Sequence, residues 1–309
     1  MQRNCRKKPK RSLASPGFRR YMKGAMPIPL LVHLARLGAE ERRALPQTRR
    51  PEPHAVMTEP DAVEAFDRQG LEILRPLYLF NVQRVSRLAP LNGKILDLGS
   101  GSGQFLRLLA EARPDLTIVG VEPSPGMRSA GQRWIEAGNF ADRVRLMDGD
   151  MRQRLDDFPG PFNVITSLFA LHHLTGFADL ERCLAQVRRL RERDGAALWF
   201  FDHARPRGAD IPQRFAALAT GARSDTLERD SARSLAAAFT VDELAAAGRA
   251  AGLPPARHHR SRVLPVYQTL ACAGNPPSPR SIPARTPRHV PLGDRAGAVL
   301  FGFLLTEAP

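Results

Sequence analysis

Three glycines spaced two residues apart, Gly99, Gly101 and Gly103, are the residues with the clearest chemical use in this chain. They follow the apolar run Lys94–Leu98 and precede a helical pattern of apolar residues that begins at Phe105. Glycine lacks a β-carbon, so it adopts positive φ and lets the backbone approach a ligand closely. The segment therefore predicts a strand that turns sharply into a helix beside a bound ligand.

The spacing of these glycines bears on the identity of the ligand. A dinucleotide-binding loop has the pattern G-x-G-x-x-G, whereas here the third glycine comes one residue early and Gln104 takes its place. Asp97 lies two residues before the first glycine and completes the pattern D-x-G-x-G-x-G. On this motif the chain resembles the class I S-adenosylmethionine-dependent methyltransferases. An NAD or nucleotide site is the open alternative, while a Gly/Ser linker is disfavoured because periodic apolar segments bracket the loop.

The resemblance implies a set of cofactor contacts at successive strand ends. The glycine loop would offer backbone groups to the methionine and ribose parts, and Glu122 would accept hydrogen bonds from both ribose hydroxyls. Asp150 is expected to take the adenine amino group, with Asp148 as the competing acid, and Met151 to meet the ring. The implied cofactor-binding residues are Asp97, Gly99, Ser100, Gly101, Glu122, Pro123, Asp150, Met151 and Ser167.

The catalytic residues stay open at this stage. His173 lies in a His-His-Leu segment after the fourth predicted strand, and Asp202 follows the fifth. Both are candidates for acting on the acceptor, and an imidazole titrates near neutral pH, as a general base must. The alternative for His172 and His173 is packing or hydrogen bonding at the pocket rim. The alternative for Asp202 is a solvated turn at the strand end.

The whole pattern predicts methyl transfer from S-adenosylmethionine to an O, N or C nucleophile of a small molecule by in-line displacement. The His-His-Leu segment makes the chain similar to the small-molecule branch, which includes quinone-biosynthesis enzymes (methyltransferase types 11 and 25). The sulfonium is already activated, so positioning in a dry pocket is the main requirement. The alternative function is a non-catalytic cofactor-binding or RNA-associated module that uses the basic flanks.

The elements that must position these residues alternate between strand-like and helix-like segments, which predicts an α/β fold with a parallel doubly wound sheet. The resemblance implies a Rossmann-like sheet of seven strands, mostly parallel with an antiparallel last strand, and a helical cover precedes it over Asp61–Leu88. The predicted strands are Lys94–Leu98, Leu116–Val121, Val144–Met147, Phe162–Ser167, Ala196–Phe201, Ala256–Val263 and Val266–Ala273.

Composition divides the 309 residues into three parts. We predict a basic, disordered extension over 1–56, a methyltransferase domain over 57–274 and a Pro-rich tail over 275–309. Of the net charge of +15, only +2 lies within 57–274, which argues against nucleic acid as a partner of the domain.

The three cysteines and the apolar runs set further limits. Cys5, Cys183 and Cys272 have no metal-type spacing, so we predict no metal site and a reducing, cytoplasmic location. No apolar run is long enough to predict a membrane span. The predicted partner is a small-molecule methyl acceptor, and the oligomeric state stays open.

Overall fold

One twisted sheet organises the part of the chain that the computed structural model describes, namely residues 28–53, 63–64, 67, 71–220, 225–275, 282–287 and 289–307. The sheet has the strand order β3-β2-β1-β4-β5-β7-β6-β8. Its strands are β1 (Lys94–Leu98), β2 (Thr117–Val121), β3 (Val144–Met147), β4 (Val164–Leu168), β5 (Ala197–His203), β6 (Arg257–Ser261), β7 (Tyr267–Cys272) and β8 (Leu305–Glu307).

The helices cover both faces of this sheet. Helix α2 packs against α3 and α9, and α5 packs against α8. The described helices are α1 (Ile28–Arg43), α2 (Leu71–Leu88), α3 (Gln104–Ala112), α4 (Pro125–Ala137), α5 (Phe177–Asp194), α6 (Ile211–Thr220), α7 (Asp225–Ala237), α8 (Val241–Ala250) and α9 (Leu292–Phe303). The predicted helical cover is present as α2, while most of residues 61–70 lies outside the described residues.

The five strands β1 to β5 run parallel, and the apolar residues of β1, β2, β4 and β5 are buried on both faces. Such burial explains why these strands read as continuous apolar runs rather than as alternating patterns. Strand β1 lies between β2 and β4, so the order of the strands reverses there. Ligands of open α/β sheets bind outside the carboxyl ends of the strands at this reversal, which is where the glycine loop begins.

The sheet confirms the predicted fold class and contains one strand more than predicted. Strand β7 is antiparallel to both β5 and β6, as expected for the seven-strand pattern. The additional strand β8 pairs antiparallel with β6 at the edge. It has three residues, which is too short for its sequence to show a strand pattern. Its pairing depends on α9, which brings the chain back to this edge.

Residues on both sides of the predicted domain boundaries pack against the sheet. In the predicted disordered extension, α1 is followed by residues 44–53, and Glu41 accepts hydrogen bonds from the backbone amides of Arg207 and Gly208. In the Pro-rich tail, Phe301 of α9 lies edge-on to Phe80 of α2 with ring centroids 5.1 Å apart. The three-part division of the chain stays a prediction. None of the described helices has the length and apolarity needed to cross a bilayer.

Candidate active site

A cavity of about 270 Å³ opens at the carboxyl ends of β1, β2 and β4. Seven of the predicted cofactor residues line it, namely Asp97, Gly99, Ser100, Gly101, Glu122, Pro123 and Met151. Its other half is lined by apolar side chains of α2, α6 and α7, by Asp230, Ser231 and Ser234 of α7, and by His172, His173 and His203. Asp150, Ser167 and Asp202 are not among the lining residues.

The glycine loop has the backbone conformation that its residue types predict. Gly99, Gly101 and Gly103 have φ values of 70°, 55° and 73°. A β-carbon on Gly99 would lie 2.4 Å from the β-carbon of Ala170, whereas one on Gly101 would meet nothing within 4 Å. Gly99 is therefore required by packing as well as by φ, and Gly101 marks the open side of the loop.

Glu122, at the end of β2, is connected to this loop by a hydrogen bond. One carboxylate oxygen, Oε2, accepts a hydrogen bond from the amide of Gly101 at 2.9 Å, and Oε1 accepts one from the amide of Ser124 at 2.9 Å. Burial raises the pKa of Glu122, and these two hydrogen bonds offset part of that rise. Each carboxylate oxygen can accept more than one hydrogen bond, so the predicted contact with ribose hydroxyls is compatible with this geometry. That contact stays a prediction.

Asp97 is a buried acid in the floor of the cavity. Its register places it opposite Thr166 of β4, whose hydroxyl donates to Asp97 Oδ1 at 2.6 Å. Burial raises the pKa of Asp97 to about 7, although the hydrogen bond from Thr166 lowers it. The nearby negative charge of Glu122 acts in the same direction as burial. This carboxyl would be ionised most readily next to a positively charged ligand.

Beyond β3, the two competing acids have different partners. The guanidinium of Arg152 donates hydrogen bonds to both carboxylate oxygens of Asp150. Burial raises the pKa of Asp150, but the hydrogen bonds from Arg152 outweigh burial and lower it. Asp148 pairs with Arg128, and its side chain is 76% exposed. The predicted adenine contact of Asp150 stays a prediction, and Met151 is the member of this segment that lines the cavity.

Ser167 and Asp202 hold other parts of the site in place. The Ser167 hydroxyl donates to the carbonyl of Leu98 at 2.9 Å. Asp202 accepts hydrogen bonds from the backbone amides of His172 and His203, and its Oδ1 lies 2.6 Å from His172 Nδ1. Asp202 therefore orients His172, and it is neither a solvated turn residue nor a cavity wall.

The charge state of this buried pair follows from its geometry. Burial lowers the pKa of His172, but the carboxylate of Asp202 outweighs burial and raises it. The same contact lowers the pKa of Asp202 despite burial. Burial and the neighbouring His172 lower the pKa of His203 to about 3, so His203 is neutral. His203 stacks on Tyr267 with ring centroids 5.4 Å apart.

Glu52 is the residue at this site that sequence reasoning missed. Its Oε2 lies 2.6 Å from His173 Nδ1, and its Oε1 lies 4.0 Å from His172 Nε2. The Ser234 hydroxyl donates to Oε1 at 2.8 Å. Burial raises the pKa of Glu52, but the hydrogen bond and charge of His173 outweigh it and bring the pKa to about 2. No motif links Glu52 to histidines about 120 residues away, so no local pattern signals this contact.

Arg49 fixes the segment that carries Glu52. Its guanidinium donates to the backbone carbonyls of His172, Leu174, Thr175 and Ala237. It also lies 4.0 Å above the ring of Phe239. We call residues 44–53 the N-terminal arm. These contacts hold the arm against the turn Leu171–His173 and against α7.

Comparison with known proteins identifies the family. Residues 95–195 match a family described as a methyltransferase domain. The chain is 30% identical over 172 residues to an uncharacterized methyltransferase of Geobacillus thermodenitrificans, and this match covers 55% of the chain and 74% of the relative. The chain belongs to the class I S-adenosylmethionine-dependent methyltransferases. The family predicted from D-x-G-x-G-x-G is therefore confirmed.

Other relatives of this methyltransferase match over shorter stretches. A demethylmenaquinone methyltransferase of Thermus thermophilus is 30% identical over 117 residues, which cover 38% of the chain and 50% of that relative. The chain thus spans about half the length of that relative. The solved structure of the plantazolicin methyltransferase BpumL in complex with SAH has a TM-score of 0.51 at 12% identity, covering 82% of this chain and 98% of that chain. This likeness concerns the fold.

Proposed function

We propose that this methyltransferase transfers the methyl group of S-adenosylmethionine to an oxygen of a small, largely apolar acceptor. The observation that carries the proposal is one continuous cavity, which joins the glycine loop and Glu122 to an apolar chamber with a polar corner. The cofactor would occupy the half at the loop. The acceptor would occupy the half beneath α2, α6 and α7.

In the cofactor half, the ends of β1, β2 and β3 would each offer a partner for one part of S-adenosylmethionine. Asp97 would face the ammonium group of the methionine part, and Glu122 would accept hydrogen bonds from the ribose hydroxyls. Met151 would lie against the adenine ring. Both acids are buried and line the cavity, so a ligand that brings positive charge stabilises their ionised forms.

The acceptor half indicates the chemical class of the acceptor. Tyr78, Phe169, Phe215 and Tyr267 give it aromatic walls, which suit a flat apolar molecule. His172 and His173 form the polar corner together with Glu52. A hydroxyl group directed at this corner would be held by polar atoms, whereas a carbon nucleophile would gain nothing there. The demethylmenaquinone methyltransferase among the relatives supports a small-molecule acceptor.

The reaction itself is one displacement. The acceptor hydroxyl gives its proton to a basic side chain of the acceptor half, and a lone pair of its oxygen attacks the methyl carbon. The carbon–sulfur bond breaks, and its electron pair stays on sulfur. S-adenosylhomocysteine leaves without the sulfonium charge, and the acceptor leaves as a methyl ether. The walls of the cavity position both reactants and exclude water, which accounts for much of the rate enhancement in such reactions.

Binding of S-adenosylhomocysteine tests the proposal. We expect isothermal titration calorimetry of the full chain to show binding of S-adenosylhomocysteine and none of NAD⁺. Glu122→Ala should weaken that binding by about 1–3 kcal/mol, the cost of losing charged hydrogen bonds. Glu136→Ala, which removes an exposed acid on α4 outside the cavity, is the matched control and should bind as the unaltered protein does.

Two results would contradict the proposal. Binding of NAD⁺ in place of S-adenosylhomocysteine would indicate a dinucleotide enzyme. Binding of RNA that weakens steeply with salt, without binding of S-adenosylhomocysteine, would indicate the non-catalytic module.

A further inference from the structure

We propose that Glu52, His172 and His173 form a binding site for one divalent transition-metal ion at the acceptor end of the cavity. Each residue can offer one ligand atom, and these three atoms lie within 4.8 Å of one another. The role of the ion in catalysis rests on the proposed methyl transfer. The binding of the ion does not.

The spacing of the three ligand atoms suits an ion between them. Because metal–nitrogen and metal–oxygen bonds measure about 2.0–2.2 Å, two ligands of one ion lie about 3–3.5 Å apart. Oε2 of Glu52 lies 2.6 Å from His173 Nδ1, and Oε1 of Glu52 lies 4.0 Å from His172 Nε2. These separations bracket the value that a shared ion requires, so small side-chain shifts would complete the site.

His172 is already oriented as a metal ligand. Asp202 is a carboxylate that can only accept, and it lies 2.6 Å from His172 Nδ1, so the proton of the ring is held at Nδ1. The lone pair of the neutral ring then resides on Nε2, which faces Glu52. Histidine ligands of metals ordinarily donate their other ring N–H to a carboxylate in this way. Asp202 also accepts two backbone amides, which fixes its own position.

Hydrogen bonds of neighbouring residues fix the position of Glu52. Arg49 holds the N-terminal arm in place by donating hydrogen bonds to four backbone carbonyls. The hydroxyl of Ser234 in α7 donates to Glu52 Oε1. The site thus draws on three segments of the chain: the arm, the turn Leu171–His173 and α7. This support reduces the freedom that the ligands would lose on binding an ion.

The ligand set selects the class of ion. Two imidazoles and one carboxylate form the protein ligands of catalytic zinc sites and of non-haem iron(II) sites, which leave coordination positions open. His172 and His173 line the cavity, so the open positions would face the acceptor. An acceptor hydroxyl bound there would be more acidic and would give its proton more readily to a basic side chain of the acceptor half, and its oxygen would then attack the methyl group.

Metal titration of the full chain tests the site. After dialysis against EDTA, the protein would be titrated with Co²⁺ and, separately, with Zn²⁺. We expect one ion per chain, with visible absorption bands for Co²⁺ that Zn²⁺ abolishes. Glu52→Gln and His173→Ala should each weaken binding at least about tenfold, and Asp202→Asn about 10–100-fold. His259→Ala, from the other adjacent histidine pair on β6, is the matched control and should bind as the unaltered protein does.

The outcomes separate this site from the proposed function. Absence of Co²⁺ and Zn²⁺ binding by the unaltered chain would overturn the metal site, as would unchanged affinity in both Glu52→Gln and His173→Ala. The circular dichroism spectrum of each variant, compared with that of the unaltered chain, shows whether it is folded. Metal binding without S-adenosylhomocysteine binding would support the metal site and contradict methyl transfer. The reverse result would overturn the metal site and leave methyl transfer in place.

Discussion

At the scale of single residues, the acids in and around the cavity fall into two electrostatic states. Burial raises the pKa of Asp97 and of Glu122 in the cofactor half. Burial also raises the pKa of Asp230, which lines the acceptor half. Histidines instead hold the pKa of Glu52 and of Asp202 below their ordinary values despite burial. A cationic ligand beside Asp97 and Glu122 therefore stabilises carboxylates that burial disfavours.

We expect Asp97 to make cofactor affinity depend on pH. Its pKa is about 7 in the free protein, and the ammonium group of S-adenosylhomocysteine would favour the ionised form. Binding should therefore be weak below pH 7, strengthen as pH rises, and level off above about pH 8, with a change approaching tenfold per pH unit below the pKa. Calorimetry across this pH range measures the effect. Asp97→Asn should bind weakly at every pH and lose the dependence.

The same residue affects folding in the absence of ligand. Because the pKa of Asp97 is higher in the folded than in the unfolded chain, the folded state binds more protons between about pH 4 and pH 7. The contribution of Asp97 to stability therefore falls as pH rises through this window. A stability profile of Asp97→Asn that kept the same slope would contradict this assignment.

At the scale of elements, the N-terminal arm completes the acceptor half. The sequence of the arm is basic and rich in proline, and it lacks the periodicity of a helix or strand. Gln47 donates to the carbonyls of Pro206 and Gly208. Arg49 makes four further hydrogen bonds, to carbonyls at the end of the turn Leu171–His173 and at the end of α7. Backbone carbonyls carry no residue identity, so sequence reasoning could not predict these partners.

Arg49→Ala should release the arm without unfolding the sheet. We expect a loss of about 1–3 kcal/mol in the free energy of unfolding from urea titration, since several hydrogen bonds to a charged group are lost. Limited proteolysis should cut the arm sooner. Arg50→Ala is the control, because Arg50 is exposed and its backbone amide makes the contact with Ala236. Equal effects of the two substitutions would show that Arg49 is not the anchor.

At the scale of the whole molecule, the C-terminal tail packs against aromatic side chains of α2, β5 and β7. Phe301 of α9 has rings from distant parts of the chain around it, with centroids of Phe80, Phe201 and Tyr267 between 5.1 and 5.8 Å away. Tyr267 also lines the cavity. The tail is thus joined through one aromatic cluster to the wall of the acceptor half.

Phe301→Ala should destabilise the fold by about 2 kcal/mol, the value expected for withdrawing a half-buried aromatic side chain from its neighbours. Urea titration followed by circular dichroism measures this change. Phe303→Ala lies on the same helix, but its side chain is 74% exposed, so it should cost little. If both substitutions left stability unchanged, the tail would not contribute to the fold in the way described.

The family, the parallel sheet and the cofactor half of the cavity follow from local patterns in the sequence. The D-x-G-x-G-x-G motif and the strand ends at Glu122 and Met151 are such patterns, and a doubly wound sheet brings the carboxyl ends of its strands together wherever they occur. Seven of the nine predicted cofactor residues line the cavity for this reason.

The acceptor half, by contrast, depends on tertiary contacts that no local pattern encodes. The folded chain joins Glu52 to His173 and Asp202 to His172, and it adds β8 to the edge of the sheet. The contact of Glu52 and the pairing of β8 depend on where the arm and the tail return to the sheet. The role of Asp202 depends on the direction of one side chain at a strand end, which the spacing of residues leaves open.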